Sequence, residues 1–194
     1  GKVTFSNHQN EKTSRYFLNV SSFGLSASIN ERVKTQNALG WLPNDALRGK
    51  AKFALSTLQE VLESEFTTVR VQIDARDEKL LNTINFCVAN ARYFGGGMKI
   101  APDAKLDDGL FDVINIGDIK TAKIIFNAFR LYSGSLLDLS EVKHINAGRI
   151  EVRAANEKQE IYLETDGELP GKLPAVYEIV PQALKIRVPK QRLK

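Results

Sequence analysis

Three stretches hold the residues whose types and spacing are suited to chemistry, and the first is an acidic turn. Residues 105–110 read Lys-Leu-Asp-Asp-Gly-Leu, with two adjacent carboxylates directly before a glycine. Carboxylate oxygens and backbone carbonyls are the hard ligands that a cation such as Mg²⁺ prefers. The turn is therefore a candidate cation site, although an Asp-Gly turn without a ligand explains the same residues equally well.

The second stretch is also acidic and follows a predicted strand. Residues 164–168 read Glu-Thr-Asp-Gly-Glu. Like charges crowded at a strand end raise the pKa of at least one carboxyl group, and a partly buried carboxylate can accept a proton from a hydroxyl. The alternative is a solvated hairpin turn with no chemical role.

The third stretch is a loop, Asn90 to Asp112, that contains three successive glycines and four aspartates between two apolar runs. Three glycines release the backbone from Cβ clashes, so the chain can turn sharply or approach a ligand closely. The loop lacks the lysine and hydroxyl residue of a phosphate-binding loop and the spacing of a dinucleotide-binding fingerprint. It therefore does not encode a complete nucleotide cradle.

Several other chemistries find no support in the sequence. His8 and His144 are isolated and match no zinc-ligand spacing. No nucleophile elbow of a serine hydrolase is present. The chain also lacks the usual aromatic and basic stripe of nucleic-acid-binding proteins, so we expect no nucleic-acid partner.

The composition is that of one soluble globular domain of 194 residues, with 43% hydrophobic residues and a net charge of +4. Mild basicity permits contact with phosphates or lipid headgroups without requiring either. The single cysteine, Cys87, lies in an apolar run, which predicts a buried, inert thiol in a reducing compartment. No apolar run reaches the length of a membrane span, and no signal-peptide pattern is present. We therefore expect a cytoplasmic protein that contacts membranes only peripherally.

Hydrophobic periodicity predicts an α+β fold, in which β-sandwich-like antiparallel sheets carry a few helices. Turns are expected at 6–14, 21–24 and 74–79. Helices are expected at 26–34, from a cap at Asn44 or Asp45, and after a cap at Asp118. The predicted strands are 1–5, 15–20, 67–73, 80–91 (a strand pair or one bent strand), 113–116, 145–154, 160–164, 175–180 and 184–188.

Two of these helices carry apolar residues at helical spacing, which predicts a buried core face on each. The stripe of the second helix comprises Leu47, Ala51, Ala54, Leu55, Leu58, Val61 and Leu62. The stripe of the third helix comprises Ile119, Ala122, Ile125, Phe126, Phe129 and Tyr132. Lys120, Lys123 and Arg130 on its opposite face could meet a membrane surface, but an ordinary amphipathic helix is the preferred interpretation.

Several motifs, taken together, resemble one known family. The central loop supplies three of them, at 90–98 (Asn-Ala-Arg-Tyr-Phe-Gly-Gly-Gly-Met), 100–104 (Ile-Ala-Pro-Asp-Ala) and 107–112 (Asp-Asp-Gly-Leu-Phe-Asp). Residues 19–24, 166–168 and 186–189 supply an opening strand and turn, an Asp-Gly-Glu motif and a matching end. This combination resembles the C-terminal domain of the diacylglycerol kinase and sphingosine kinase superfamily, in particular the bacterial soluble lipid kinases.

The resemblance implies a phosphotransferase reaction. Enzymes of this family transfer the γ-phosphoryl group of ATP to a lipid hydroxyl with the help of Mg²⁺, a reaction in which positioning and charge neutralisation dominate. By analogy, Glu168 is the general base that takes the proton from the lipid hydroxyl, and Asp166 supports it.

The resemblance also implies a metal site and a substrate site. Asp108 is expected to bind Mg²⁺ together with the backbone carbonyls of Lys105 and Leu110. An apolar lining between the sheets is expected to accept the lipid chains. The residues assigned to substrate binding are Asn90, Arg92, Gly95, Gly96 and Gly97.

The chain lacks one motif of the family, the nucleotide-binding sequence Gly-Gly-Asp-Gly-Thr. Residues 1–194 are therefore predicted to form a lipid-binding domain that works with a separate N-terminal kinase lobe and is inactive alone. The other expected partners are a lipid substrate, a membrane surface contacted transiently and, as an open alternative, a second copy in a homodimer. A non-catalytic lipid-binding or regulatory module, and a part of a sugar or nucleotide kinase, are the alternative interpretations.

Overall fold

The computed structural model describes residues 1–35 and 45–187. Within these ranges the chain alternates strands with two groups of helices. The strands are Lys2–Ser6 (β1), Lys12–Tyr16 (β2), Val20–Gly24 (β3), Thr67–Ile73 (β4), Lys79–Thr83 (β5), Asn85–Ala89 (β6), Tyr93–Phe94 (β7), Met98–Lys99 (β8), Phe111–Ile116 (β9), Val142–Ala147 (β10), Arg149–Ala154 (β11), Tyr162–Thr165 (β12) and Glu168–Glu178 (β13). The helices are Leu25–Thr35 (α1), Asp45–Glu63 (α2), Thr121–Asn127 (α3) and Arg130–Ser133 (α4), followed by a short 3₁₀ helix, Leu136–Asp138.

Most of the described strands join one curled antiparallel sheet. Its order is β10-β9-β6-β3-β12-β13-β11-β4-β5, and β1 pairs with both β13 and β2. The two-residue strands β7 and β8 form a separate hairpin. The predicted α+β class, with antiparallel sandwich-like strands and a few helices, is confirmed.

The centre of the sheet is buried on both faces. In β6, Phe86 and Val88 join one core cluster, whereas Cys87 and Ala89 join a second cluster. Side chains alternate between the faces of a strand, so the two clusters lie on opposite sides of β6. Helix α1 contacts β3. Burial on both faces explains why residues 86–89 form a continuous apolar run instead of an alternating pattern.

Several predicted elements are confirmed. Helix α1 and strands β4, β6 and β9 lie where periodicity placed them. The segment predicted as a strand pair at 80–91 contains two strands, although β5 pairs with β4 and β6 pairs with β3 and β9. The predicted strand at 145–154 is divided at Gly148 into β10 and β11.

Other predictions about secondary structure are wrong. Residues 21–24 form part of strand β3 and not a turn, because Ser21 and Ser22 are buried and hydrogen-bonded within the sheet. Asp118 does not cap the third helix, which begins at Thr121 after an N-cap at Lys120 that lacks a side-chain cap bond. Residues 184–187 form no strand, and Val188 lies outside the described residues.

The predicted core faces of the second and third helices are largely exposed. In α2, Val61 is buried, but Ala54, Leu55, Leu58 and Leu62 are exposed. Ile119 is buried ahead of α3, whereas the rest of the third stripe is exposed, namely Ala122, Ile125, Phe126, Phe129 and Tyr132. Asn44 and the side chains of Leu47 and Ala51 lie outside the described residues. The apolar spacing thus predicts both helices correctly, but most of the residues in these stripes do not pack against the core.

None of the helices in the described ranges combines the length and the apolar character needed to cross a bilayer.

Candidate functional site

A cleft lies between the helices and one face of the sheet. Its volume is about 580 Å³. Both helical groups and the central strands contribute its mainly apolar lining, which includes Ile29, Leu58, Val61, Ile100, Ile119 and Leu136. A cavity of this size and character is suited to an apolar ligand.

The cleft has a polar region. Asn19, Ser26, Asn85, Glu164 and Asp166 line it together with the apolar residues. Glu164 is only 5% exposed. In most binding sites, a few polar groups within an otherwise apolar pocket orient the ligand.

Glu164 is positioned by strand pairing and by a turn. In β12 it lies opposite Ser22 of β3 in the antiparallel register. Its Oε2 atom is 2.5 Å from the Ser22 hydroxyl oxygen, and its Oε1 atom accepts a 2.5 Å hydrogen bond from the Gly167 backbone N–H. The carboxyl group is therefore fixed at the wall of the cleft.

Burial governs the protonation of Glu164. Loss of hydration raises the pKa of this carboxyl group above its ordinary value, and the negative charge of Asp166 adds to the rise. The hydrogen bonds from Ser22 and Gly167, and the charge of Lys34, oppose it. The net effect is a pKa above the ordinary value for a glutamate side chain.

Asp166 has a different environment and a structural role. Its carboxylate accepts hydrogen bonds from three consecutive backbone N–H groups, those of Leu18 (2.7 Å), Asn19 (3.0 Å) and Val20 (3.1 Å). The residue has a positive φ of 47° in the turn between β12 and β13. Asp166 thus connects this turn to the segment that enters β3.

Glu168 lies outside the cleft. Its side chain is 66% exposed, and its Oε2 atom is 3.6 Å from a guanidinium nitrogen of Arg15. Because Glu168 begins β13 immediately after the cleft-lining Gly167, it occupies an exposed position next to the site. The predicted general base is therefore near the cleft but accessible from solvent.

The glycine run forms the tip of the β7–β8 hairpin. Gly95, Gly96 and Gly97 have φ values of 45°, 80° and 97°. Residues with a Cβ atom rarely adopt this left-handed region, which explains why all three positions are glycine. Gly95 also lines the cleft, together with Phe94.

The other two residues assigned to substrate binding make contacts with the backbone. The Asn90 amide nitrogen donates to the carbonyl of Leu18 at 2.9 Å, and the Arg92 Nε atom donates to the carbonyl of Ala104 at 3.0 Å. These bonds hold the loop in place. Substrate contact by either residue stays a prediction.

The predicted metal residues Lys105, Asp108 and Leu110 all lie on one exposed turn. Asp108 Oδ1 accepts a 3.0 Å hydrogen bond from the Leu110 N–H, and Gly109 reverses the chain with a φ of 76°. The described ranges contain no cluster of three or more His, Cys, Asp or Glu side chains suited to a metal ion. A carboxylate and backbone carbonyls are oxygen donors of the kind that Mg²⁺ accepts beside retained water ligands, so a magnesium site at this turn stays a prediction.

The structure thus brings some predicted residues together and separates others. Gly95 and Asp166 line the same cleft, whereas Glu168 and the 105–110 turn lie outside it. Sequence reasoning included Glu164 in the acidic stretch and Ser22 in the 19–24 motif without assigning a role to either, and it missed Asn85. The available signal was the presence of polar residues within strands that are otherwise apolar.

Comparison with known proteins agrees with this architecture. Residues 19–188 match the family described as the YegS C-terminal NAD kinase β-sandwich-like domain. A diacylglycerol kinase from Mycobacterium tuberculosis is 25% identical over 176 residues, which cover 91% of this chain and 53% of that protein. A diacylglycerol kinase from Bacillus subtilis is 24% identical over 185 residues, covering 92% of this chain and 55% of that protein.

The fold also matches a solved structure. A diacylglycerol kinase from Bacillus anthracis superposes with a TM-score of 0.56 at 23% identity, covering 93% of this chain and 53% of the solved chain. The protein therefore belongs to the family of YegS C-terminal NAD kinase β-sandwich-like domains, as the motifs had indicated. It spans about half the length of the diacylglycerol kinases that it matches.

Proposed function

We propose that this chain is the lipid-binding C-terminal lobe of an ATP-dependent lipid kinase, which transfers the γ-phosphoryl group of ATP to a lipid hydroxyl. The observation that carries the proposal is the cleft of about 580 Å³, which combines an apolar lining with a buried carboxyl group. Lipid chains require the apolar part, and a hydroxyl headgroup requires the polar part.

The relatives support diacylglycerol or a related lipid as the acceptor. The relatives from Mycobacterium tuberculosis and Bacillus subtilis are both named diacylglycerol kinases, and the matched region spans about half of each of them. The other half would supply the nucleotide-binding lobe, since the chain itself contains no Gly-Gly-Asp-Gly-Thr motif. ATP would then be held mainly by that lobe.

The roles proposed for individual residues come from the resemblance to the lipid kinases. Glu168, exposed beside the cleft, would accept the proton of the lipid hydroxyl when the nucleotide lobe closes over it. Asp166 would support it by fixing the turn. Asp108, with the carbonyls of Lys105 and Leu110, would hold Mg²⁺, whose charge neutralises developing negative charge on the phosphoryl oxygens.

Phosphorylation assays test the kinase proposal directly. The full-length protein is expected to phosphorylate one class in a panel of diacylglycerol, sphingoid and phosphatidylglycerol lipids, with ATP and Mg²⁺. The 194-residue chain is expected to show no such activity, because its sequence lacks the Gly-Gly-Asp-Gly-Thr nucleotide motif. Activity of the chain alone would contradict the division into lobes, and a full-length protein inactive on every lipid would favour a non-catalytic lipid-binding module.

A membrane contact also belongs to this proposal, because exposed apolar side chains continue from the lining of the cleft to the surface. Ile125 and Tyr132 both line the cleft and are exposed. Beside them Phe126 is 79% exposed and Phe129 is 63% exposed. Exposed aromatic residues at the opening of an apolar cleft are suited to a bilayer surface, from which a lipid could enter.

Removal of the two phenylalanines is expected to weaken membrane binding. A Phe126→Ser, Phe129→Ser double variant should bind anionic phospholipid vesicles about tenfold or more weakly than the wild type, because it loses the apolar area available for insertion. Vesicle sedimentation measures this. Tyr16→Ser is the control, since Tyr16 is a similarly exposed aromatic residue on strand β2 that does not line the cleft. Equal binding by the double variant would contradict this membrane contact.

A further inference from the structure

The dipeptide Asp-Gly occurs twice in the chain, at 108–109 and at 166–167. A peptide bond between aspartate and glycine can rearrange, because the glycine nitrogen can reach the aspartate side-chain carbon when no Cβ atom restricts the backbone. All four residues are exposed. Solvent exposure therefore does not distinguish the two sites, and any difference between them must come from their hydrogen bonds.

The rearrangement needs no reagent other than water. The peptide nitrogen of the glycine forms a bond to Cγ of the protonated aspartic acid, and the carboxyl hydroxyl group leaves as water with the proton of the peptide N–H. The product is a cyclic imide. Water then opens the imide at either carbonyl group, which restores aspartate or leaves isoaspartate, whose main chain passes through Cβ and Cγ. The mass of the chain is the same before and after.

At 166–167, hydrogen bonds hold both reacting groups. The Asp166 carboxylate accepts hydrogen bonds of 2.7, 3.0 and 3.1 Å from the backbone N–H groups of residues 18–20. The Gly167 N–H, whose nitrogen would have to attack, donates to Glu164 Oε1 at 2.5 Å. The turn also joins two strands that are paired with each other, β12 and β13. Rearrangement therefore requires this hydrogen-bonded turn to open first.

At 108–109, the reacting groups are held far less. Within the described ranges, Leu110 provides the one backbone N–H group of residues 105–110 that forms a hydrogen bond, and Asp108 Oδ1 accepts it at 3.0 Å. The Gly109 N–H has no acceptor among the described residues. The bond to Leu110 folds the Asp108 carboxyl group back toward the following peptide groups, as in an Asx turn. Little structure has to open before the Gly109 nitrogen meets this side chain.

We propose that Asp108–Gly109 is a site of spontaneous covalent modification, at which aspartate converts to isoaspartate while Asp166–Gly167 resists the same change. The conversion adds a carbon atom to the main chain of the turn that leads into β9, which begins at Phe111. Asp108 is also the carboxylate proposed to hold Mg²⁺, and the conversion would move it from that position. The modification itself does not depend on the metal.

Ageing of the folded 194-residue chain at mildly acidic pH tests the site, with the same chain unfolded in guanidinium chloride as the reference. Trypsin places the two dipeptides in separate fragments, 106–120 and 159–172. Isoaspartate forms of each fragment separate by chromatography at unchanged mass, and electron-transfer fragmentation locates the altered residue. Circular dichroism checks that the aged chain is still folded. In the unfolded chain both sites should convert at similar rates, since glycine follows both aspartates.

In the folded chain, Asp108 is expected to convert at least about tenfold faster than Asp166, because several hydrogen bonds must break before the Gly167 nitrogen is free. Asp108→Glu keeps the charge and should abolish the signal from fragment 106–120, because glutamate forms the corresponding larger ring far more slowly. Asp107→Glu is the matched control. It leaves Asp108–Gly109 intact and should convert as the wild type does.

Each contrary result overturns the proposal at a different step. Equal protection of both sites in the folded chain would show that the 105–110 turn is held as firmly as the turn at Asp166. Equal conversion of both sites would show that the hydrogen bonds around Asp166 and Gly167 do not protect. A signal that persists in the Asp108→Glu variant would place the conversion at another aspartate of the same fragment.

Discussion

In the proposed full-length lipid kinase, replacement of Glu168 by glutamine is expected to lower the rate of ATP-dependent lipid phosphorylation by about 100-fold to 10,000-fold. This range is what loss of a general base costs in enzymes that use one. Glutamine keeps the size of the side chain but cannot take up the proton of the lipid hydroxyl. Glu168 is largely exposed, so the change should leave the melting temperature nearly unaltered.

The measurement is the initial rate at saturating lipid and ATP, with Glu157→Gln as a second exposed glutamate variant. A rate that falls in the Glu168 variant while the affinity for lipid stays constant would support proton transfer at this residue. A Glu168 variant with the wild-type rate would remove it from the mechanism. The buried carboxyl group of Glu164 would then be the next candidate, and its own glutamine variant would distinguish the two.

Sequence periodicity predicted strands better than it predicted burial. The alternation of Val69, Val71 and Ile73 led directly to β4, because one face of that strand packs on the core. The apolar spacing of Leu58 and Phe126 indicated helices correctly, but it could not tell which surface an apolar face contacts. Leu58 faces a cleft and Phe126 faces solvent, and both produce the same pattern as a core-facing residue.

The candidate site was less predictable, because long-range strand pairing assembles it. Glu164 and Ser22 are 142 positions apart in sequence, yet they lie opposite each other in the β12–β3 ladder. Asn85 reaches the same place because β6 pairs with the other edge of β3. No local motif encodes these registers. The glycine run and the acidic stretch were visible in the sequence because their chemistry is local, as three left-handed residues and one tight turn.

The second large effect is expected on stability, from a change at Asp166 in the turn that carries the acidic stretch. Asp166→Ala is expected to lower the free energy of unfolding by about 3 kcal/mol, because one carboxylate satisfies three backbone N–H groups and hydrogen bonds to charged groups are the stronger kind. For a chain of this size the melting temperature should fall by about 6–12 °C. Thermal unfolding followed by circular dichroism measures the change.

Asp74 offers a matched control for this prediction. It also has a positive φ, of 52°, and its Oδ1 atom accepts two backbone hydrogen bonds, from Gly148 and Arg149 at 3.0 Å each. Asp74→Ala should therefore cost less than Asp166→Ala. Asp166→Gly removes the backbone strain of a left-handed residue but not the loss of hydrogen bonds, so it should recover only part of the stability. Full recovery in the glycine variant would mean that strain, and not the three hydrogen bonds, sets the effect of Asp166→Ala.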